Sequence, residues 1–395
     1  MSIEHDVALV IASTGRSIDV FDGFDFTIDM LHPGQAWTFH FWHSEDRQST
    51  WDILRSEIKP FDTVHLTLDG APQLSGAIMR RDLDGPASDG GGLQMIVSGK
   101  SLAAIAAKWD VEPQITLRNQ TLDAALHSIL DPLGVTISIG ADVDVTREVQ
   151  QGRRRSPWGR TNHRRSNVVD NFHPQPGEKR WACAERLARK YGYMLWEVPD
   201  AGRGLSVALD VPLQQGQPTY RFERIIDSSG RTTDSSNIVR GTHSLNVDDM
   251  PTQVVMCSAA GRGDGRAARY LQNIANPNVF DPRVNVPVIP QVVYRVTEHS
   301  RTANGASKEG QRILTDANAN FETYTAVVQG AAQMVGGRKT IYAVNTIAHV
   351  RDDYYGIDSD WLITSFSCHG GHGPGVYSTL RMCPLGQLAI VPEPA

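Results

Sequence analysis

The chain has 395 residues, enough for two or three domains that each bury a core, and its 40% hydrophobic and 21% charged content is that of a folded protein. A formal net charge of −6 excludes a global positive field for holding nucleic acid or an anionic membrane surface. The 35 Gly and 21 Pro, spread along the chain, fit many short strands joined by turns.

In chain order, the first hundred residues read as strands. Val64, Leu66 and Leu68 alternate with His65 and Thr67, and Asp69-Gly70 supplies a hairpin turn. Ser75 to Arg80 and Leu93 to Val97 are two more predicted strands around a turn-rich stretch, so a small barrel or sandwich is expected. Trp37, Phe39, Phe41, Trp42 and Trp51 are expected in its core or at an interface. The period then changes: Leu122, Ala125, Leu126, Ile129 and Leu130 predict an amphipathic helix behind a Thr121 cap, stopped by Pro132 and Gly134. Val135 to Ile139 alternates as a strand, and 150–178 is charged and poor in apolar residues, which predicts a long loop. From Glu178 a second helix places Trp181, Ala184, Leu187, Ala188 and Tyr191 on one face, with Lys179, Arg180, Arg186, Arg189 and Lys190 elsewhere. A hairpin, Tyr193 to Val198 and Leu205 to Leu209, follows it. Strand signal resumes at Asn237 and Thr252, Ser307 to Ala319 has helix composition, and Thr323 to Ile390 is mostly strand. The result is β-rich (α+β), with β regions bracketing an α/β middle, and the two flanking regions are candidates for distant copies of one fold.

The chemistry is sparse. Cys183, Cys257, Cys368 and Cys383 are scattered without a CxxC pair, so neither a disulfide framework nor a zinc ribbon is expected. Cys368, His369 and His372 form the best metal-like cluster, but the Gly residues among them fit a hairpin tip, and no metal is assigned. Gly261 to Gly265 lacks the Lys-Ser or Lys-Thr of a phosphate loop. Asp352-Asp353 and Asp358/Asp360 show no His or metal partner at suitable spacing and are expected in surface turns, so no catalytic residue and no cofactor are assigned. The basic run Arg153, Arg154, Arg155, Trp158, Arg160, Arg164 and Arg165 is the one candidate partner contact, fitted to an acidic protein neighbour, to a channel lumen or to phosphates, with a plain solvated loop as the alternative. Met1 to Asp6 has no basic-then-apolar leader and no apolar run approaches the roughly 20 residues of a membrane span, so the cytoplasm is the expected place of synthesis and assembly.

The order of these units resembles the baseplate hub proteins of Mu-like myophages and their relatives in contractile injection machines. The resemblance is carried by Val64 to Gly70 leading to Val97-Ser98-Gly99-Lys100-Ser101-Leu102, by the helix and hairpin Ala184 to Leu195, by Ser236 to Gly241, and by the closing hairpin Ser365 to Leu380. It departs from the family in its long Arg-rich loop. The resemblance implies two tube-type β-barrel domains, 1–108 and 236–395, the second with an insertion around 265–322, flanking a smaller α/β lobe at 109–235 with its helix-hairpin at 178–210. It also implies a non-enzymatic homotrimer in the virion tail baseplate that adapts a sixfold tail tube to a threefold spike. Its partners would be the central spike, the tail tube and other baseplate proteins, with no membrane, and with DNA met only in passage through the channel. A tail-associated peptidoglycan hydrolase using the acidic pairs, or a nucleic-acid module using the Arg-rich loop, are the competing expectations.

Overall fold

The computed structural model describes residues 6–43, 48–84, 93–112, 114–115, 117, 120–140, 143, 172–199, 205–248, 250–258, 271–275, 280–281, 286–287, 291–297, 303–318, 321–371 and 375–388. The opening stretch forms β1 (Val7–Ile11), β2 (Ser17–Ile18), β3 (Gly23–Asp29), β4 (Ala36–Trp42), α1 (Gln48–Glu57), β5 (Thr63–Leu68), β6 (Ala71–Asp84) and β7 (Gln94–Ser101). Alternation explains it: Phe24, Phe26 and Ile28 on β3 and Trp37, Phe39 and Phe41 on β4 point to one covered face. Trp51 joins that core, whereas Trp42, at the end of β4, is exposed. The Asp69-Gly70 turn joins β5 to β6 with both residues at positive φ, 51° and 75°.

The middle stretch forms α2 (Leu102–Ala106), α3 (Leu122–Leu130), β8 (Thr136–Ile139), α4 (Arg180–Lys190), β9 (Met194–Glu197) and β10 (Ser206–Asp210). The apolar stripes of α3 and α4 make its core, over a small sheet in which β10 pairs with β8 in parallel and with β9 in antiparallel. Thr121 stands at the start of α3 but makes no side-chain capping bond. The other end of α3 is held by Arg180, whose Nη1 donates to the Ile129 carbonyl at 2.7 Å. That bond explains why Arg180, expected on the polar face, is buried.

The remainder forms β11 (Tyr220–Arg224), β12 (Ile238–Leu245), β13 (Gln253–Ser258), β14 (Leu271–Ala275), β15 (Phe280–Asp281), β16 (Val286–Pro287), β17 (Val292–Thr297), α5 (Ala303–Asn318), β18 (Glu322–Gln329), β19 (Ala332–Val335), β20 (Arg338–Ile341), β21 (Thr346–Asp352), β22 (Ile357–Gly371) and β23 (Gly375–Pro384). Between β12 and β18, β13 lies between β14 and β17 and packs Val254 and Met256 on Leu314 of α5.

Among the described residues thirteen strands join in one sheet, in the order β12-β18-β23-β22-β3-β4-β7-β6-β5-β1-β2, with β21 and then β11 branching from β22. The seam is antiparallel pairing of β3 with residues 365–371 of β22, and one hydrophobic cluster crosses it, with the Phe26 and Phe366 rings edge-on at 5.7 Å. On one side of the seam the order is β1-β5-β6-β7-β4-β3, and on the other β11-β21-β22-β23-β18-β12. Matched this way, the strands also follow the same chain order. One pairing differs in sense: β1 and β5 are antiparallel, β11 and β21 parallel. Tyr220–Arg224, grouped by sequence with the middle lobe, is thus a strand of the large sheet.

Candidate assembly surfaces

The two arcs share irregular features as well as order. Phe61 and Asn345 both have positive φ, 70° and 53°, just before β5 and β21. The Phe61 N–H donates to the Ile78 carbonyl at 2.7 Å, and the Asn345 N–H to the Ile363 carbonyl at 2.9 Å. One residue later each long strand carries a β-bulge, at Met79 in β6 against β7 and at Thr364 in β22 against β23. A bulge re-aims the strand beyond it and changes which backbone groups face which edge. In β22 that far half receives β3. In β6 the β5 ladder stops at Ala77, and among the described residues the far half, 80–84, has β7 as its one strand neighbour.

Two other edges behave differently from each other. The outer edge of β11 is occupied by side-chain amides: the Arg221 N–H donates to Gln333 Oε1 (2.9 Å), the Glu223 N–H to Asn237 Oδ1 (2.8 Å), and the Gln333 and Asn237 amides donate to the Arg221 carbonyl (2.7 and 2.8 Å). This edge cannot add a strand without losing those bonds. By contrast β12 has, among the described residues, only β18 beside it. Large apolar side chains stand exposed along both unshared edges: Phe61 (76%), Met79 (38%) and Leu83 (50%) by β6, Leu245 (61%) and Val247 (53%) by β12.

The end of the second arc is held from inside. Asp352, expected in a surface turn, has a fully buried side chain and accepts from Arg224 Nε (2.9 Å) and Nη2 (2.6 Å) and from the Tyr324 hydroxyl (2.5 Å). The guanidinium lies 5.1 Å from the ring centres of both Tyr354 and Tyr355, and the Tyr355 hydroxyl donates to the Gly241 carbonyl. A Cβ on Gly241 would fall 2.3 Å from the Tyr324 hydroxyl, so the strand approaches this closely only as glycine. The network ties β11, β12, β18 and β21 together and commits Asp352 to structure. Asp358 and Asp360 lie on β22, not in a turn, and hold His349 of β21 between them, at 3.1 Å to Nε2 and 2.8 Å to Nδ1. The missing histidine was supplied across the ladder, where sequence spacing carries no sign of it.

Of the other sequence candidates, Cys368 and His369 are adjacent on a strand and so point to opposite faces, Cys368 into the core. His372, Gly261 to Gly265, and all of Arg153, Arg154, Arg155, Trp158, Arg160, Arg164 and Arg165 lie outside the described residues.

Where the middle unit meets the sheet, Met194 and Trp196 of β9 and Ala208 of β10 pack with Met30 after β3. Glu197, the next residue, is buried, and neither carboxylate oxygen has a partner at hydrogen-bonding distance. Burial pushes its carboxyl up to about 8; the Ser101 hydroxyl and the N–H groups of Leu102 and Ala103 face it and offset this only in part. The carboxyl is therefore mostly protonated at neutral pH.

No family model and no curated protein matches this sequence. Solved structures match it over nearly its whole length. It is similar to a tail protein from Neisseria meningitidis MC58, at TM-score 0.72 and 15% identity over 99% of this chain and 100% of that one. It is similar to the 43 kDa tail protein of prophage MuSo2 from Shewanella oneidensis, at TM-score 0.71 and 14% identity over 97% and 99%. An E. coli component of the type VI secretion system, described as structurally similar to T4 bacteriophage tail proteins, matches at TM-score 0.51 and 8% identity over 94% of this chain and 76% of that one. The chain has the β-rich fold of these tail proteins.

Proposed function

We propose that this chain, built on the phage tail-protein fold, is a structural baseplate hub subunit of a contractile tail. Three copies would form a ring adapting a sixfold tail tube to a threefold central spike. The observation that carries this is the repeated strand order within one chain, together with end-to-end likeness to two tail proteins, one of them from a prophage. In this reading each arc is a tube-type β-barrel, the first within 1–108 and the second within 236–395 completed by β11, with the α/β lobe of 109–235 between them in sequence. Two similar barrels per chain give six similar positions from three chains, which matches a hexagon on one side while the threefold axis matches a trimer on the other. The likeness to a type VI secretion component supports the same setting.

The partners in this reading are two further copies, the central spike, the tail tube and other baseplate proteins, in the virion tail baseplate. DNA passes through the channel without being gripped, and the Arg153 to Arg165 segment docks on an acidic protein neighbour through bidentate guanidinium contacts. The role is non-enzymatic, and Asp352 is engaged by Arg224 and Tyr324 rather than turned to a substrate. Light scattering and negative-stain imaging of the purified chain test the reading. The expected result is a ring of three copies, and a monomer at every concentration, with and without tube and spike proteins, overturns it.

A further inference from the structure

The seam inside the chain is a template for a junction between chains. There the Met30 N–H donates to the Thr364 carbonyl at 3.0 Å, which makes Phe366 opposite Ile28 and Cys368 opposite Phe26 the hydrogen-bonded pairs. By strand order β6 corresponds to β22, and β12 to β3. Both of these counterparts have an outer edge with no strand on it among the described residues.

Their backbone phases agree. The Asp22 N–H bond to the His40 carbonyl (2.8 Å) turns residue 40 toward β3, so through the β4–β7 and β7–β6 registers Arg80, Asp82 and Asp84 face β7. Arg81 and Leu83 then present their N–H and C=O groups outward. On β12 the Asn246 N–H donates to the Phe321 carbonyl at 2.8 Å, which turns Thr242 and Ser244 toward β18 and leaves His243 and Leu245 facing out.

We propose that β12 of one copy pairs antiparallel with the far half of β6 of the next copy, continuing the sheet between chains as β3 and β22 continue it within one. Transfer of the seam register sets Arg81 opposite Leu245 and Leu83 opposite His243 as hydrogen-bonded pairs, with Asp82 opposite Ser244 as a close pair between them. No like charges meet, and Asp82 gains the Ser244 hydroxyl. The apolar side chains fit as well. Val247 takes the station of Met30, which at the seam packs against Met194, Trp196 and Ala208 of the middle unit, and the pairing brings the exposed Phe61, Met79 and Leu83 beside the exposed Leu245 and Val247. The two surfaces differ, so the contact runs head-to-tail, the kind that closes into a ring when the rotation between copies returns to its start. The strand junction follows from the repeat within the chain; closure at three copies rests on the hub reading.

A cysteine pair tests the register. Non-hydrogen-bonded antiparallel partners sit about 4.5 Å apart at Cα, within disulfide reach. Asp82→Cys with Ser244→Cys in one chain, mildly oxidised as the assembled protein, should give a covalent trimer on a non-reducing gel, reversed by reductant and absent from either single variant. These variants are made in a Cys257→Ser background, because Cys257 is a partly exposed free thiol; the remaining thiols of Cys183, Cys368 and Cys383 are quiet, since burial pushes them up to about 12. A second variant, Leu83→Asp, changes an exposed side chain, so the chain still folds, and it should weaken assembly at least tenfold. A ring that persists with no cross-link and no effect of Leu83→Asp overturns the junction and leaves the hub reading standing. A covalent ladder running past three chains supports the junction and removes the ring of three, and a wild-type monomer under all conditions removes both.

Discussion

Phe61 and Asn345 occupy the same station in the two arcs: each is at positive φ, and each passes its N–H to the isoleucine that precedes the bulge, Ile78 or Ile363. Their side chains diverge. Asn345 tolerates the left-handed region and accepts from the Leu213 N–H at 2.9 Å, whereas Phe61 is a bulky residue there with its ring in solvent.

Strain at a bulky residue with positive φ costs on the order of 1–3 kcal/mol. Phe61→Asn should therefore raise the unfolding free energy of the chain by about 1 kcal/mol, measured by urea denaturation. Asn345→Phe should lower it by more, because it adds strain and removes the Leu213 bond. A destabilising Phe61→Asn contradicts the assignment of strain.

Asp352→Ala leaves the Arg224 guanidinium partly buried with no carboxylate, and removing one partner of a buried pair costs about 3–5 kcal/mol. The double change Arg224→Met with Asp352→Leu should recover much of that loss, since it removes both charges. Guanidinium titrations of the two variants and the parent check the order: single lowest, double in between or near the parent.

Glu197 gives a pH signature. Its folded pKa, about 8, stands above the ordinary 4.5. Below the lower value both folded and unfolded chains hold the proton, and between the two values only the folded chain does. Stability therefore falls as pH rises from about 4.5 to about 8 and then levels, by a total on the order of a few kcal/mol. Glu197→Gln should flatten this slope and raise the melting temperature at pH 8. A parent slope unchanged in the variant assigns the pH dependence to other groups.

Gly99 lies under the Trp37 ring. A Cβ there would fall 2.1 Å from Trp37 Cζ2 and 2.4 Å from the Ala77 carbonyl oxygen, and neither an immobile buried indole nor a paired backbone can yield cheaply. Gly99→Ala should cost about 3 kcal/mol by overpacking, against a near-neutral Ser98→Ala. Thermal melts distinguish them, and equal melting temperatures would show that the sheet relaxes around position 99.

Much of the fold was legible because its signals are local. Alternation at Val64, Leu66 and Leu68 and the Asp69-Gly70 turn specify a hairpin within a few residues, and the stripes of α3 and α4 name their own buried faces. The matched stations of the two arcs were far less legible. Ile78 and Ile363 are the same residue type, but Phe61 with Asn345 and Met79 with Thr364 share no chemistry, so the repeat is carried by backbone geometry that side-chain identity does not encode.

By itself the sequence determined a β-rich chain, two helices with named apolar faces and the absence of a globally basic surface, since these follow from periodicity, turn residues and net charge. The tertiary structure alone decided that β3 joins β22, that Asp352 is buried against Arg224, that Asn237 and Gln333 occupy the β11 edge, and that β6 and β12 keep edges in matching phase. Such choices are made by backbone donors and acceptors common to every residue, between strands remote along the chain, and so leave no local pattern to read.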